Sequence, residues 1–570
     1  MNEFREQLIA YLVEEREISK KEITLHKMMS PEEKEAEGLM IRNAEISITS
    51  EEIGTDEYRF RFDNNNTKIR LGDHILLTSN GKDQIKKPLT VLEITPEYMV
   101  IKADKIVLDE SCTWDIELHE MSSYETYIAI LEKMDEASPG AYFLSQLAGE
   151  EQPKEESMFG VNPKAIQLSE TLTSKLNKAQ MNAVYCAIKQ PTLRLIQGPP
   201  GTGKTHVLSC ISKIMSIVGN EVAIVAKTHQ AVNNALNSVK KNAPILNVIK
   251  VGQELRSDGL DKTVLNFESY KSYLDWRNEK KKKKGTSADV VGMTLQAATV
   301  NMCLRNSGFK PQVVLVDEAS QIPVAEAAII GASGAGTIVF IGDDRQMPPI
   351  FMEELENDPL SISIFELITK THPMIKDVLN ISYRMNSEIC SYVSEHFYWP
   401  YGIDLQPGGP NKDKSMIFDC SDYPDKRIEE IFGKDSSSIV TLNVSEKKGY
   451  EDDNLEEAIF ATQVAAFAMQ KGVSKDDIAI VTPFRKQVNA IRSAFLNLDF
   501  SEENTPLVDT VERLQGQDVR LIVLSFAVND YTYYSKIKSF LLNANRINVM
   551  ISRAKEKVVI LKSDMVIIDK

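Results

Sequence analysis

The sequence predicts an α/β protein: two tandem units built on parallel sheets, preceded by an N-terminal helical stalk and a small β-barrel-like domain. Three observations carry this expectation. From Leu176 onward, short apolar runs at 193–196, 222–226, 313–316 and 338–341 alternate with helical patterns, and each run ends in small or polar residues. Strands apolar on both faces and separated by helices belong to a buried parallel sheet. A second set of such runs, at 478–482, 521–525 and 558–561, echoes the first, with 478–483 matching 221–226 in register. Between Leu39 and Glu120 the apolar period is two, as in Tyr58-Arg59-Phe60-Arg61-Phe62, which reads as antiparallel strands.

Taken in order, residues 1–38 form the stalk. Phe4, Leu8, Ile9, Leu12 and Val13 recur at helical spacing, and Ser30-Pro31-Glu32-Glu33 has the form of a capping box with proline at the first helical position. That second helix stops at Gly38. Residues 39–120 form the barrel-like domain, with strands at 58–62, 74–78, 89–94 and 99–103 and turns at Asn80-Gly81 and 63–66. Its pattern fits a structural module as well as a nucleic-acid-binding one. Residues 121–355 make the first α/β unit, interrupted near 256–288 by a segment carrying the run Lys280 to Lys284. That run suits a solvated loop and a phosphate contact equally. Residues 356–570 make the second unit, with 402–415 and 421–450 expected as surface loops.

Bulk properties narrow the partners. The chain has 570 residues, 42% apolar and 26% charged, with a net charge of −16. Overall positive charge cannot be its means of holding a polyanion, so any nucleic-acid path must be a local basic groove. Cys112, Cys186, Cys210, Cys303, Cys390 and Cys420 are scattered without a Cys-x-x-Cys pair. That suits reduced thiols in a cytoplasmic protein better than a zinc site or a disulfide framework. The N-terminus is too charged for a signal peptide and no apolar run approaches spanning length, so no membrane association is expected.

The chemistry concentrates at Gly198-Pro199-Pro200-Gly201-Thr202-Gly203-Lys204-Thr205, between a strand and a helix. This is a phosphate-binding loop: exposed backbone N–H groups and a helix N-terminus cradle phosphates, Lys204 reaches the β/γ-phosphates, and the Thr205 hydroxyl holds Mg²⁺. The run 313–316 ends in Asp317-Glu318, two carboxylates at the carboxyl edge of the sheet. Asp317 would hold Mg²⁺ and Glu318 would polarise the attacking water. Gln346, after the next strand, can report the γ-phosphate through hydrogen bonds that change on hydrolysis. Arg384 and Arg553, on the second unit, are candidates for fingers reaching across a cleft, a role worth roughly 10³–10⁵ in rate.

These motifs, from Leu176 to Lys555 and in this order, resemble those of superfamily 1 helicases. The similarity is greatest to the 5′→3′ group containing the nonsense-mediated-decay RNA helicase, senataxin and the immunoglobulin-mu-binding helicase. The carrying residues are Leu176-Asn177-x-x-Gln180, Gly198 to Thr205, Thr228-His229-Gln230, Gly292-Met293-Thr294, Asp317-Glu318-Ala319-Ser320, Gly342 to Pro349 and Tyr383-Arg384-Met385. They continue with Thr482-Pro483-Phe484-Arg485, Leu514-Gln515-Gly516 and Arg546 to Ala554. The resemblance implies two RecA-like domains with ATP and Mg²⁺ between them and a single strand of DNA or RNA across both. It further implies that Gln180 reads the adenine edge, Tyr383 stacks on the base, and Gly516 and Asp518 touch the nucleotide. By the same resemblance Thr228, His229, Thr294, Thr482, Pro483 and Arg485 line the strand. Asp518 stands where the family usually has Glu, and Ser552 where it often has Thr. The implied activity is a monomeric ATP-driven translocase and helicase, with a recruiting protein partner. The alternative is an ATP-gated clamp or nucleoprotein remodeller that separates few base pairs. A helicase–nuclease is disfavoured, since the motifs and the N-terminal module use most of the chain. A P-loop kinase or GTPase is disfavoured because neither needs Arg384 and Arg553 on a second unit.

Overall fold

The structure, a computed structural model, describes residues 3–48, 57–62, 67–70, 73–79, 83–95, 97–103, 106–119, 123–156, 161–252, 256–281, 289–304, 310–444, 449–498, 500–501, 504–514 and 517–566. The first helix, Glu3–Met28, runs longer than the apolar spacing alone indicates. It buries Phe4, Leu8, Tyr11 and Leu12, one stripe of a 3.6-residue period. That stripe joins the core of the first α/β unit, beside the helices Tyr124–Glu132 and Pro139–Leu147. The stalk is therefore fastened along the first unit by apolar contact. The short helix Pro31–Ala36 has the expected capping box between Ser30 and Glu33, followed by Gly38 at φ +71°.

Six antiparallel strands close into a barrel: β1 Met40–Ile48, β2 Glu57–Arg61, β3 His74–Ser79, β4 Asp83–Ile94, β5 Tyr98–Lys102 and β6 Trp114–Leu118, in the order β1-β2-β5-β4-β3-β6. Alternation fills its interior with Phe60, Ile75, Leu77, Met99, Ile101 and Ile116, all fully buried. Closure pairs every strand on both sides and leaves no sticky edge.

The first α/β unit holds an eight-stranded sheet in the order β10-β9-β11-β8-β12-β13-β7-β14, all parallel. Its strands are β7 Leu193–Gln197, β8 Val222–Ala226, β9 Val248–Val251, β10 Leu265–Phe267, β11 Val290–Thr294, β12 Val313–Val316, β13 Thr337–Gly342 and β14 Lys376–Val378. β8, β12 and β13 are buried at every residue, as helices on both faces require. β14 pairs with β7, and the helix Ile364–Thr371 packs Phe365 and Ile368 into the first unit's core. The boundary expected at 355 thus falls inside the first unit, whose sheet runs on to Val378. A three-residue strand is too short to register as a period, which is why its position was not legible. Within the 256–288 segment, β10 extends the sheet and the helix Tyr270–Lys281 buries Tyr273 completely. Lys282 to Lys284 lie outside the described residues.

A two-stranded ribbon, β15 Ile381–Ser382 with β16 Gln406–Pro407, leads into the second unit. That unit's parallel sheet has the order β17-β21-β20-β18-β19, with β17 Ile439–Asn443, β18 Ile478–Val481, β19 Leu507–Asp509, β20 Val519–Ser525 and β21 Ala554–Lys562. The 421–450 stretch expected as loop contains the helix Lys426–Phe432 and the edge strand β17. β17 alternates exposed and buried residues, so its apolar content is half that of an interior strand and the polar surroundings masked it. Among the described residues no helix is long and apolar enough to cross a membrane.

Candidate nucleotide and nucleic-acid site

The strand order β12-β13-β7 brings three carboxyl-terminal strand ends side by side. After β7 comes the phosphate loop, after β12 the Asp317-Glu318 pair, and after β13 the turn Asp343 to Gln346. Together with Tyr383, Arg384, Asp518 and Arg553 they surround a cleft of about 460 Å³.

The loop's conformation depends on its glycines. Gly203 caps the helix Lys204–Ile217 in the left-handed region at φ +82°, where a side chain is strained. A Cβ on Gly198 would sit 2.3 Å from Lys204 Cγ and displace the lysine. Lys204 Nζ donates to Gly198 O at 2.6 Å, and Thr202 Oγ1 donates to Pro199 O at 2.7 Å. The second unit braces the loop directly: Ser382 Oγ donates to Pro200 O at 2.9 Å and Tyr383 N to Gly201 O at 2.8 Å.

Asp317 is 5% exposed. Burial and the neighbouring Glu318 charge push its pKa up to about 7, only partly offset by Lys204. A buried carboxyl short of positive charge, with the Thr205 hydroxyl lining the same cleft, is a hard-oxygen donor set that fits Mg²⁺. That ion binds through one or two protein oxygens plus phosphate and water. Glu318 adopts a left-handed backbone, φ +51°. Such strain in a residue with a side chain costs of order 1–3 kcal/mol and is retained where geometry serves a site. Its Oε2 accepts from Gln321 Nε2 at 3.4 Å.

Both arginines arrive. Arg384 donates to Ser552 O at 2.9 Å and pairs with Asp518 Oδ1 at 2.7 Å. Arg553 lies 4.0 Å from the same carboxylate and donates to Gln346 Oε1 at 3.4 Å. Burial, then the Arg384 charge, lowers the Arg553 pKa to about 10. Asp518 thus stands between the two guanidinium groups. Gln346 in turn donates to the fully buried Asp343 at 2.6 Å, which also accepts from Tyr398 Oη at 2.6 Å. Tyr398 Oη accepts from Asn548 Nδ2 at 2.9 Å, on the same helix, Ala544–Ser552, that leads to Arg553. This polar chain ties the second unit to the turn after β13. Asp343, Tyr398 and Asn548 escaped sequence reasoning; Asn548 lay within a quoted motif, but nothing marked Tyr398.

Other expected residues are placed as follows. Gln180 lies beneath the loop, 4% exposed. Tyr383 lines the cleft and accepts from Asn177 Nδ2 at 3.0 Å. Gly516 lies outside the described residues. Thr228 and Thr482 follow β8 and β18, and Thr294 ends β11, all at the sheets' carboxyl edges. Thr228 is exposed and caps the helix His229–Asn242, and Thr294 caps Leu295–Ala298. Thr482 is fully buried, with Oγ1 accepting from Phe484 N. His229 is half-buried, its pKa lowered to about 4 by burial and the Lys250 and Arg256 charges. Arg485 reaches within 3.9 Å of Asp509 and lines a groove between the second unit and the barrel with Arg42 and Arg61.

Two family models, each described as an AAA domain, match residues 180–352 and 360–564. The chain is 28% identical over 400 residues to the DNA replication ATP-dependent helicase/nuclease JHS1 of Arabidopsis thaliana, covering 68% of this chain and 28% of that protein. To the uncharacterized ATP-dependent helicase MJ0104 of Methanocaldococcus jannaschii it is 23% identical over 612 residues, covering 92% and 88%. These are similarities to AAA domains and to ATP-dependent helicases, in keeping with the superfamily 1 order of motifs. The chain spans about a quarter to two-fifths of the length of the helicase/nucleases it matches, the human DNA2 protein among them at 25% identity over 411 residues. Among solved structures, the Arterivirus nonstructural protein 10 helicase aligns with TM-score 0.39 and 13% identity, covering 89% of this chain and 76% of that one.

Proposed function

We propose that this protein is an ATP-dependent nucleic-acid translocase and helicase that couples hydrolysis to 5′→3′ movement along a single strand. The observation that carries it is the convergence of Arg384 and Arg553, from the second unit, on the phosphate cleft of the first. A finger supplied across a cleft makes hydrolysis conditional on closure, and closure is the stroke of a motor.

In this reading Lys204 and the loop amides hold the β- and γ-phosphates, while Thr205 and Asp317 hold Mg²⁺. When bound there, the ion would neutralise charge on the phosphate oxygens. Glu318 takes the proton of the attacking water. Arg384 and Arg553 exchange the Asp518 carboxylate for the γ-phosphate, and Gln346 passes that exchange to Asp343, Tyr398 and Asn548. The strand path runs over Thr228, Thr294 and Pro483 toward Arg485. The motif order supports placement in the 5′→3′ group with the nonsense-mediated-decay helicase and senataxin. The names of the helicase/nuclease relatives make single-stranded DNA the first track to test.

The test is steady-state ATP hydrolysis at low salt without nucleic acid, with single-stranded DNA and with single-stranded RNA. Strong stimulation by one polymer supports the motor and names its track. Lys204-dependent hydrolysis indifferent to both polymers would refute it.

A further inference from the structure

Between β20 and the helix Ala544–Ser552 the second unit carries a further helix, Tyr531–Leu541. It seats Tyr534 and Leu541 in the unit's core, with Ile537 packed against it, and these residues make its one apolar stripe. Beside that stripe Tyr533 and Phe540 share a line, seven residues and about 10 Å apart along the axis. The half-buried Phe484 links the two: its ring centroid lies 6.3 Å from that of Tyr533 and 6.4 Å from that of Phe540. Phe540 remains 41% exposed, and the Arg546 guanidinium lies 4.0 Å over its ring. Lys536 is exposed on the same helix, three residues from Tyr533 and four from Phe540, which puts it on their side of the cylinder.

The cluster's place in the fold is set by the sheet. β18 and β20 are parallel neighbours. Phe484 follows Pro483 off the end of β18, and the helix Tyr531–Leu541 follows β20 from the same carboxyl edge. On one side Arg485 continues into the groove shared with Arg42 and Arg61 of the barrel. On the other, Asn545, next to Arg546, donates to Asp344 O of the first unit at 3.3 Å. The rings thus lie along the route proposed for the strand, close to where the two units meet.

A single exposed ring needs no explanation, but three rings in contact and bordered by cations have a specific chemistry. Aromatic faces stack with the bases of a single strand whatever their sequence, while neighbouring positive charge attracts its phosphates. A guanidinium over a ring strengthens such a stack. The cations also select a polyanion over an apolar protein face as the occupant. We infer that Phe484, Tyr533 and Phe540, bordered by Arg546 and Lys536, form a platform on which unpaired bases of the single strand stack. This rests on the strand-binding reading above and deepens it, because the second unit then grips bases as well as backbone.

The experiment measures the affinity of the full chain, without nucleotide, for oligothymidylate and for an oligomer of the same length made of abasic sugar-phosphate units. If RNA is the stimulating polymer, the corresponding ribose pair replaces them. The unmutated protein should bind the base-bearing oligomer more tightly. Phe540→Ala should weaken that binding about 5- to 150-fold and leave abasic binding unchanged. It should also keep the slope of affinity against salt, which counts phosphate contacts. Phe540→Trp should retain the affinity, and its added indole fluorescence should be quenched by the base-bearing oligomer but not by the abasic one. Urea denaturation shows whether each variant keeps the fold, and the tryptophan variant decides the matter if the alanine variant does not. Undiminished binding by folded Phe540→Ala, an equal loss on both oligomers, or an unquenched indole overturns the inference. Failure of the unmutated protein to bind either oligomer would instead refute the proposed function.

Discussion

Replacing Arg553 by alanine separates a functional arginine from a structural one. The guanidinium is 5% exposed, and its pKa falls from 12.5 to about 10, chiefly through burial and then through Arg384. A cation whose folded pKa is depressed opposes folding at every pH below that value. The depression corresponds to roughly 3 kcal/mol of unfavourable interaction at neutral pH. Truncation removes this opposition and loses the packing of the arginine stem, a loss of similar size, about 2–3 kcal/mol. The variant should therefore unfold in urea within about 1 kcal/mol of the parent. Its catalytic loss should be far larger. A finger is worth about 10³–10⁵ in rate, or roughly 4–7 kcal/mol of transition-state stabilisation. Stimulated ATPase turnover should collapse while equilibrium binding of a non-hydrolysable ATP analogue changes little. Undiminished turnover would discard the finger assignment. A stability loss above about 3 kcal/mol would show that Arg553 holds the fold together and that its catalytic effect is indirect.

Three further outcomes follow from the geometry. Glu318→Gln should bind ATP and lose hydrolysis by about 10²-fold or more, whereas Lys204→Ala should also bind triphosphate more weakly; parallel binding and turnover assays distinguish them. Tyr398→Phe removes the 2.6 Å donor to the buried Asp343 and the acceptor for Asn548. Urea denaturation should show a loss of about 1.5–3 kcal/mol, together with weaker coupling of ATPase rate to nucleic acid. His229, with its folded pKa near 4 against 6.5 unfolded, binds protons more readily when unfolded. Its stabilising contribution is complete above pH 6.5 and is lost as pH falls toward 4, by up to about 3 kcal/mol. His229→Gln should flatten that part of the stability–pH curve, and an unchanged curve would contradict the assignment.

The sequence by itself determined everything that local chain geometry dictates. A phosphate loop needs its glycines, lysine and threonine within eight consecutive residues, so Gly198 to Thr205 announces itself. The Asp317-Glu318 pair is equally local, because a buried strand delivers consecutive residues to one sheet edge. Continuous apolar runs identified β7, β8, β12, β13, β18, β20 and β21, while the interior strands β9 and β11, interrupted by Lys250 and Gly292, gave no such run; a period of two marked the barrel through β2 to β5 but not β1 or β6. The short or one-sided strands β14 and β17 lacked that signal. Tertiary structure alone decided which distant side chains meet. Asp518 lies between Arg384 and Arg553, 134 and 35 positions away along the chain. Tyr398, Asn548 and Asp343 share one buried hydroxyl, and no spacing rule connects them. Gln180 is the instructive case: its position after Asn177 was legible, but the use of its amide depended on a loop some twenty residues onward in the chain. Hydrogen-bond capacity is allotted in three dimensions, after folding has set which partners are within reach.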